Sequence, residues 1–290
     1  MHQNIEDRKP EGTYENPIVV SKMSREEAVL SVKKVDSSIE VNEKILERQE
    51  IVKVKYLHKD GKVYQGEIVA DIKLKTDIEE LFKYIEKINK EARLEEKKFY
   101  IDKILPIARY NWNDNSSMED NNTSAFNYRV IKDTEGNDTD ILSLHSFGFA
   151  LDINPRENPV MVNGVVVQPK NGHTKEDKTP NTLTPEHNIV MFLQNRGFEW
   201  GGSWKNDYQD NHHFEKVLPT DEYIAYYIQN VARNPKITST NVIERIEKLI
   251  KNRTGEDLDN LLKLVTDENV LHKIGERQQE RLISLFNQVL

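Results

Sequence analysis

Two alternating runs around Asp60-Gly61 constrain this chain more than any other feature of its sequence. Ile51, Lys53 and Lys55 alternate with Val52, Val54 and Tyr56, and beyond the Asp-Gly pair Val63, Gln65, Glu67 and Val69 alternate again. A period of two on both sides of such a turn predicts a β-hairpin. Directly after it, Ile78, Leu81, Phe82, Ile85 and Ile88 recur at helical spacing, with Thr76 as the expected N-cap and Glu79 completing a capping box. That helical stripe is core packing and carries no chemistry.

The rest of the chain is organised by local signals. Residues 125–131 and 149–153 read as short strands, and residues 160–167 as a second hairpin around Asn163-Gly164. The stretch 111–124 reads as a polar loop. A helix is expected to start after Thr184-Pro185 and run to Asn195, where Gly197 stops it. Residues 221–233, 240–252, 256–266 and 268–289 carry apolar positions at helical spacing, which predicts a helical C-terminal region. Three parts follow: a polar arm over 1–48, with helix-like spacing from Ser24 to Glu47, a central domain over 49–218, and the helical region over 219–290.

Charge and composition exclude several classes. The net charge of -8 argues against a nucleic-acid partner, which calls for a basic patch or stripe. With no cysteine, neither a disulfide framework nor a thiolate metal site is possible, so any zinc must be held by His and carboxylates. Met1 to Asp7 lack the basic start and apolar run of a secretory signal, and no stretch is apolar over a membrane-spanning length. A chain of this kind is expected to be cytoplasmic as made and to stay there unless released by lysis or by another route. Nothing in the sequence speaks to oligomeric state.

Of the eight histidines, His2, His58, His173, His187 and His272 stand alone among ordinary surface residues. His145 lies instead in Ser143-Leu144-His145-Ser146-Phe147-Gly148-Phe149-Ala150-Leu151-Asp152-Ile153. An Asp inside an apolar strand is costly unless paired or metal-bound, and this makes Asp152 informative. A second cluster reads Asp210-Asn211-His212-His213-Phe214-Glu215. Catalytic zinc takes three His or carboxylate ligands and keeps one position for water, while a further carboxylate takes that water's proton. Two His, one Asp and one extra carboxylate would complete such a site.

The segment Ser143 to Ile153 resembles the Ser-x-His-x-x-Gly-x-Ala-x-Asp-Ile signature of the D-alanyl-D-alanine carboxypeptidase family of zinc peptidases (peptidase family M15). That family includes vancomycin-resistance carboxypeptidases and dipeptidases, and phage endolysins that cut the L-Ala–D-Glu bond. Ser116-Ser117-Met118 and Asn121 to Arg129 resemble the segment delivering the family's substrate-binding Arg. Asn154-Pro155 with Asn158-Pro159, Trp200-Gly201-Gly202-Ser203-Trp204 and His213-Phe214-Glu215 resemble the later blocks, in the same order, over residues 50 to 217.

The resemblance implies an α+β fold of the Hedgehog/DD-peptidase kind, a small antiparallel sheet flanked by helices. It implies Zn2+ held by His145, Asp152 and His213, and Asp210 as general base. It also implies Arg129 on the scissile carbonyl, with Ser143 and Trp204 lining the substrate site. The implied substrate is the stem peptide of peptidoglycan, with no nucleic acid or membrane partner. His212 is the rival to His213, but only His213 is followed directly by Phe-Glu. Two departures stand out: Ser203 replaces a frequent Asp, and the spacing from Trp204 to His213 is extended, which makes Asp207 a weaker candidate for the base. A non-catalytic zinc-stabilised cell-wall-binding module of the same fold is the alternative, and Asp210, the base carboxylate, favours the enzyme.

Overall fold

The computed structural model describes residues 10–34, 43–132, 138–174, 179–204 and 207–216. The chain divides into two compact units, one of residues 1–128 with 144–216 and one of residues 129–143 with 217–290. The helical segments expected beyond residue 218 lie outside the described residues, as do residues 1–9.

In the first unit the long hairpin forms as the alternation predicts. Strand β1 (Ile18–Val19) precedes helices α1 (Arg25–Ala28) and α2 (Glu43–Glu47), and then β2 (Gln49–Leu57) and β3 (Val63–Asp71) pair over nine residues, from Gln49 opposite Asp71 to Leu57 opposite Val63. Asp60 closes the turn, its Oδ1 accepting from the Lys62 N–H at 2.9 Å. The N-terminal segment is packed on this hairpin: β1 runs parallel to β3, and Ala28, Val29 and Val32 are buried. Ser24, not a long helical arm, makes the capping box there, with Glu27.

Helix α3 (Lys75–Glu91) packs on β2 and buries Ile78, Leu81, Phe82 and Ile85. Its N-cap is Leu74, with no side-chain cap bond, so the expected cap at Thr76 is corrected. Leu74 is fully buried, and burial of that residue fixes the entry of the helix where a polar cap would have left it exposed. Strand β4 (Lys103–Ile104) follows, then helix α4 (Asp114–Glu119) inside the stretch expected to be a loop. Asn113 caps α4 by accepting from the Ser116 N–H at 2.9 Å, and Ser117 and Met118 are buried. Strand β5 (Asn122–Thr123) pairs parallel with β4.

The expected strand over 125–131 is reduced to β6 (Val130–Lys132), which pairs with β7 (Asp138–Leu142) in the second unit. Residues 124–127 spend their backbone bonds elsewhere, on Val69, His145 and Asp152. Strand β8 (Ala150–Asp152) confirms the apolar stretch, and β9 (Val160–Val162) with β10 (Val165–Gln168) confirms the second hairpin. Helix α5 (Asn188–Gln194) starts later than Pro185, because the side chain of His187 caps it. The last described strands are β11 (Glu199–Trp200), β12 (Tyr208–Asp210) and β13 (His213–Glu215).

The first unit is thus α+β, built of several small sheets: β1-β3-β2, β10-β9-β12, β11-β13-β8 and β4-β5. Among the described residues no helix is long and apolar enough to cross a membrane.

Gly148, at the bend before β8, has φ of +70°, and a Cβ there would strike Gln49 Oε1 and the Asp71 backbone nitrogen. Gly148→Ala is expected to cost at least about 1–2 kcal/mol from the left-handed backbone alone, with the clash added. Urea unfolding checks this through a lowered midpoint at unchanged slope.

Candidate metal centre

Asp152 ends β8 directly opposite His213, the first residue of β13, so the two side chains share one face of the sheet. On its other edge Asp152 exchanges both backbone bonds with Ser124, at 2.8 and 3.1 Å. His145 comes from a 3-10 turn (Leu144–Phe147) just before Gly148, and its carbonyl accepts from the Asn127 and Gly148 N–H groups. The positive φ of Gly148 reverses the chain from this turn into β8 and sets His145 over the Asp152–His213 pair.

The three side chains converge. His145 Nε2 lies 3.2 Å from Asp152 Oδ2 and 3.1 Å from His213 Nδ1. His213 Nδ1 lies 3.1 Å from Asp152 Oδ1. All three residues are buried, at 2, 5 and 7% exposure for His145, Asp152 and His213. Among the described residues this is the one group of His and carboxylates arranged to hold a metal. The close contacts use both oxygens of Asp152; with one ligand atom from each residue the three lie within 4.8 Å of one another, a group that could hold one metal ion. Two imidazoles with one carboxylate are a donor set that catalytic zinc takes.

The electrostatics agree with that fit. The Nδ1–H of His145 donates to the Ala125 carbonyl at 2.5 Å, which turns the Nε2 lone pair inward. Two imidazole nitrogens and a carboxylate therefore face one another. Burial alone pushes His213 down, but hydrogen bonds to Asp152 and Glu215 and the charges of Asp152 and Asp210 outweigh it, and its pKa stands at about 10. Burial raises the carboxyl of Asp152, yet the charges of His145 and His212 and the bonds to His145 and His213 hold it well below the usual carboxylate range. A divalent cation satisfies the same donors at once.

Asp210 sits at the end of β12, in the neighbouring sheet, in register with Val160. Its Oδ1 is 3.0 Å from His212 Nε2, an ion-pair distance without hydrogen-bond alignment, and among the described residues this buried oxygen accepts no hydrogen bond. Its charge reaches His213. Asp207 is exposed at a positive-φ position, φ +58°. His212 is not part of the His145–Asp152–His213 group: its Nδ1–H donates to the Asn158 carbonyl at 2.7 Å and its Nε2 faces Asp210. Trp204 lies against His213, ring centroids 5.4 Å apart, and is followed outward by Tyr208 at 6.1 Å. Trp200 is a packing residue: its Nε1–H donates to the Asn211 carbonyl at 2.8 Å and its ring stacks near Phe214.

Arg129 and Ser143 belong to the second unit, where they flank the β6/β7 hairpin and the Ser143 N–H donates to the Arg129 carbonyl at 3.0 Å. The role of the Ala125 carbonyl is not legible in the sequence, because a backbone acceptor has no residue signature. The buried place of His212 was equally silent, since a His beside a ligand His reads as a rival ligand.

Residues 136–216 match the model of the D-alanyl-D-alanine carboxypeptidase family of peptidases. That stretch is similar to the M15 peptidases. The matched stretch holds His145, Asp152, Asp210 and His213, and ends before the second unit resumes. No curated protein and no solved structure gives a significant match to the chain.

The metal-free protein is expected to melt several degrees below the zinc-loaded one. At free zinc a hundred times Kd the gain is about 2.7 kcal/mol, and His145→Ala should erase the difference. Thermal melts with zinc and with chelator measure it; equal melting temperatures for both forms would remove the metal.

Proposed function

We propose that the protein is a zinc-dependent peptidase that hydrolyses a bond in the stem peptide of bacterial peptidoglycan, of the D,D-carboxypeptidase or L-Ala–D-Glu endopeptidase type, on a DD-peptidase-like fold. One observation carries this reading: within the stretch matching the peptidase family, ligand atoms of two buried His and one Asp converge where a single metal ion could bind them, and the charge of a further carboxylate, Asp210, reaches His213. His145, Asp152 and His213 hold the metal. Zinc bound there supplies Lewis acidity and brings a water toward deprotonation at neutral pH.

The chain's own residues do the rest. Asp210 takes the proton from the attacking water as its oxygen bonds to the peptide carbonyl carbon. The C–N bond then breaks, and Asp210 returns that proton to the leaving amine nitrogen, so the carboxylate is regenerated. Support for Asp210 comes from its charge at His213 and from the oxygen that accepts no hydrogen bond among the described residues. The family resemblance assigns Arg129 a role at the carbonyl oxygen and Ser143 a role in substrate binding. Trp204, against His213, would form an apolar wall that excludes water from the reacting bond.

Asp210→Ala is expected to lower turnover by about 10²–10⁴-fold while leaving zinc bound, and loss of zinc in that variant would make Asp210 a ligand. The deciding experiment incubates the protein with peptidoglycan fragments, with and without chelator, and reads products by mass spectrometry. Zinc-dependent loss of one D-Ala identifies a carboxypeptidase, and a new peptide starting at D-Glu identifies an endopeptidase. Intact fragments from a protein with zinc bound would overturn the enzymatic reading in favour of a binding module.

A further inference from the structure

The two histidines of the ligand set present different nitrogens to its centre. His145 points Nε2 inward and spends its Nδ1–H on the Ala125 carbonyl. His213 points Nδ1 inward, and its Nε2 lies 3.3 Å from Glu215 Oε2. A carboxylate accepts and does not donate, so the proton of that contact is on Nε2. The ring of His213 stands between Glu215 and the ligand atoms, which makes Glu215 a neighbour of the site and not a fourth ligand.

The strand geometry explains the pairing. His213 and Glu215 are two apart on β13 and share a face, while Phe214 turns to the other face and is fully buried near Trp200. Opposite Glu215 on β8 stands Ala150, whose methyl group leaves room for a longer side chain on that face. Glu215 is itself buried, at 7% exposure. A buried carboxylate carries a desolvation cost that a site must offset. A divalent ion with Asp152 as its only anionic ligand leaves one positive charge in excess, and Glu215 supplies the compensating negative charge through the imidazole.

We infer that Glu215 is a positioning residue that fixes the ring of His213, selects Nδ1 as its metal-binding nitrogen and strengthens that nitrogen as a donor. The inference rests on the metal reading above, and its effect is on metal affinity before it is on turnover. Carboxylates that orient a ligand His in this way are typically worth about 10–100-fold in metal affinity.

The test is zinc affinity by chelator competition for the parent, Glu215→Gln and Glu215→Ala. Glu215→Ala should bind zinc about 10–100-fold more weakly. Glu215→Gln keeps an acceptor for Nε2–H without the charge and should fall between the two. Equal affinity in all three proteins, or a Gln variant as weak as the Ala variant, would overturn the assignment. Nitrogen-15 NMR of the zinc-loaded parent reads the same point without any variant: Nδ1 of His213 metal-bound with Nε2 protonated, and the reverse for His145. Metal on Nε2 of His213 would sink it. A parent that takes up no zinc would remove this inference and the proposed function together, whereas tight zinc with unaltered variants would remove this inference alone.

Discussion

The pairing of β8 with β13 sets Asp152 against His213, and the chemistry of the first unit depends on that register. Side chains alternate across a strand, so a slip of either strand by one residue would turn its own group to the opposite face and bring Leu151 or Phe214 into its place. Several contacts hold the register. The Ile153 N–H donates to the His212 carbonyl and the Lys216 N–H to the Phe149 carbonyl, at the two ends of the pair. Lys216 then reaches Asp77 on α3 at 2.6 Å. Phe214 near Trp200 fills the far face. The carboxylate and imidazoles gain their close approach from this surrounding apolar packing, which keeps water out and leaves mutual attraction or a cation as their compensation.

Much of this was legible in the sequence, for reasons that differ by element. The Asp60-Gly61 hairpin was readable over its full length because alternation and turn chemistry agree. Asp152 drew attention because an acid in an apolar strand has few bland explanations, and the structure gives it two imidazole neighbours. What escaped were features decided by tertiary contact. Leu74 begins α3 because it is buried, against the local preference for Thr76. Residues 125–127 look like part of a strand by composition, yet the Phe126 and Asn127 N–H groups go singly to the Val69 and His145 carbonyls. Asn113 to Glu119 is short and polar, and only its cap and two buried side chains make it helical. No single-sequence period carries information of that kind.

Two of the candidate ligands and the candidate base are held by different sheets: β8 and β13 carry Asp152 and His213, while β12, paired with β9, carries Asp210. Their relative position is therefore set by the turn Asn211-His212 that joins β12 to β13. That turn is pinned from several sides. Asn211 Nδ2 donates to the Pro159 carbonyl at 2.8 Å, Trp200 Nε1–H donates to the Asn211 carbonyl, and His212 Nδ1–H donates to the Asn158 carbonyl. Asn158 is in turn fixed, its side chain donating to the Ile153, Asn154 and Asn181 carbonyls and accepting from the Leu183 N–H. The backbone of Gly201 presses on the same place, for a Cβ there would lie 2.5 Å from the Asp210 carbonyl oxygen and 3.0 Å from its Cβ. Gly201 and Trp200 in the Trp-Gly-Gly-Ser-Trp block thus act on geometry, one by the room it leaves and the other by the carbonyl it holds. A carboxylate on a separate sheet, joined to His213 by so short and so fully bonded a turn, has its place relative to Asp152 and His213 set by that turn.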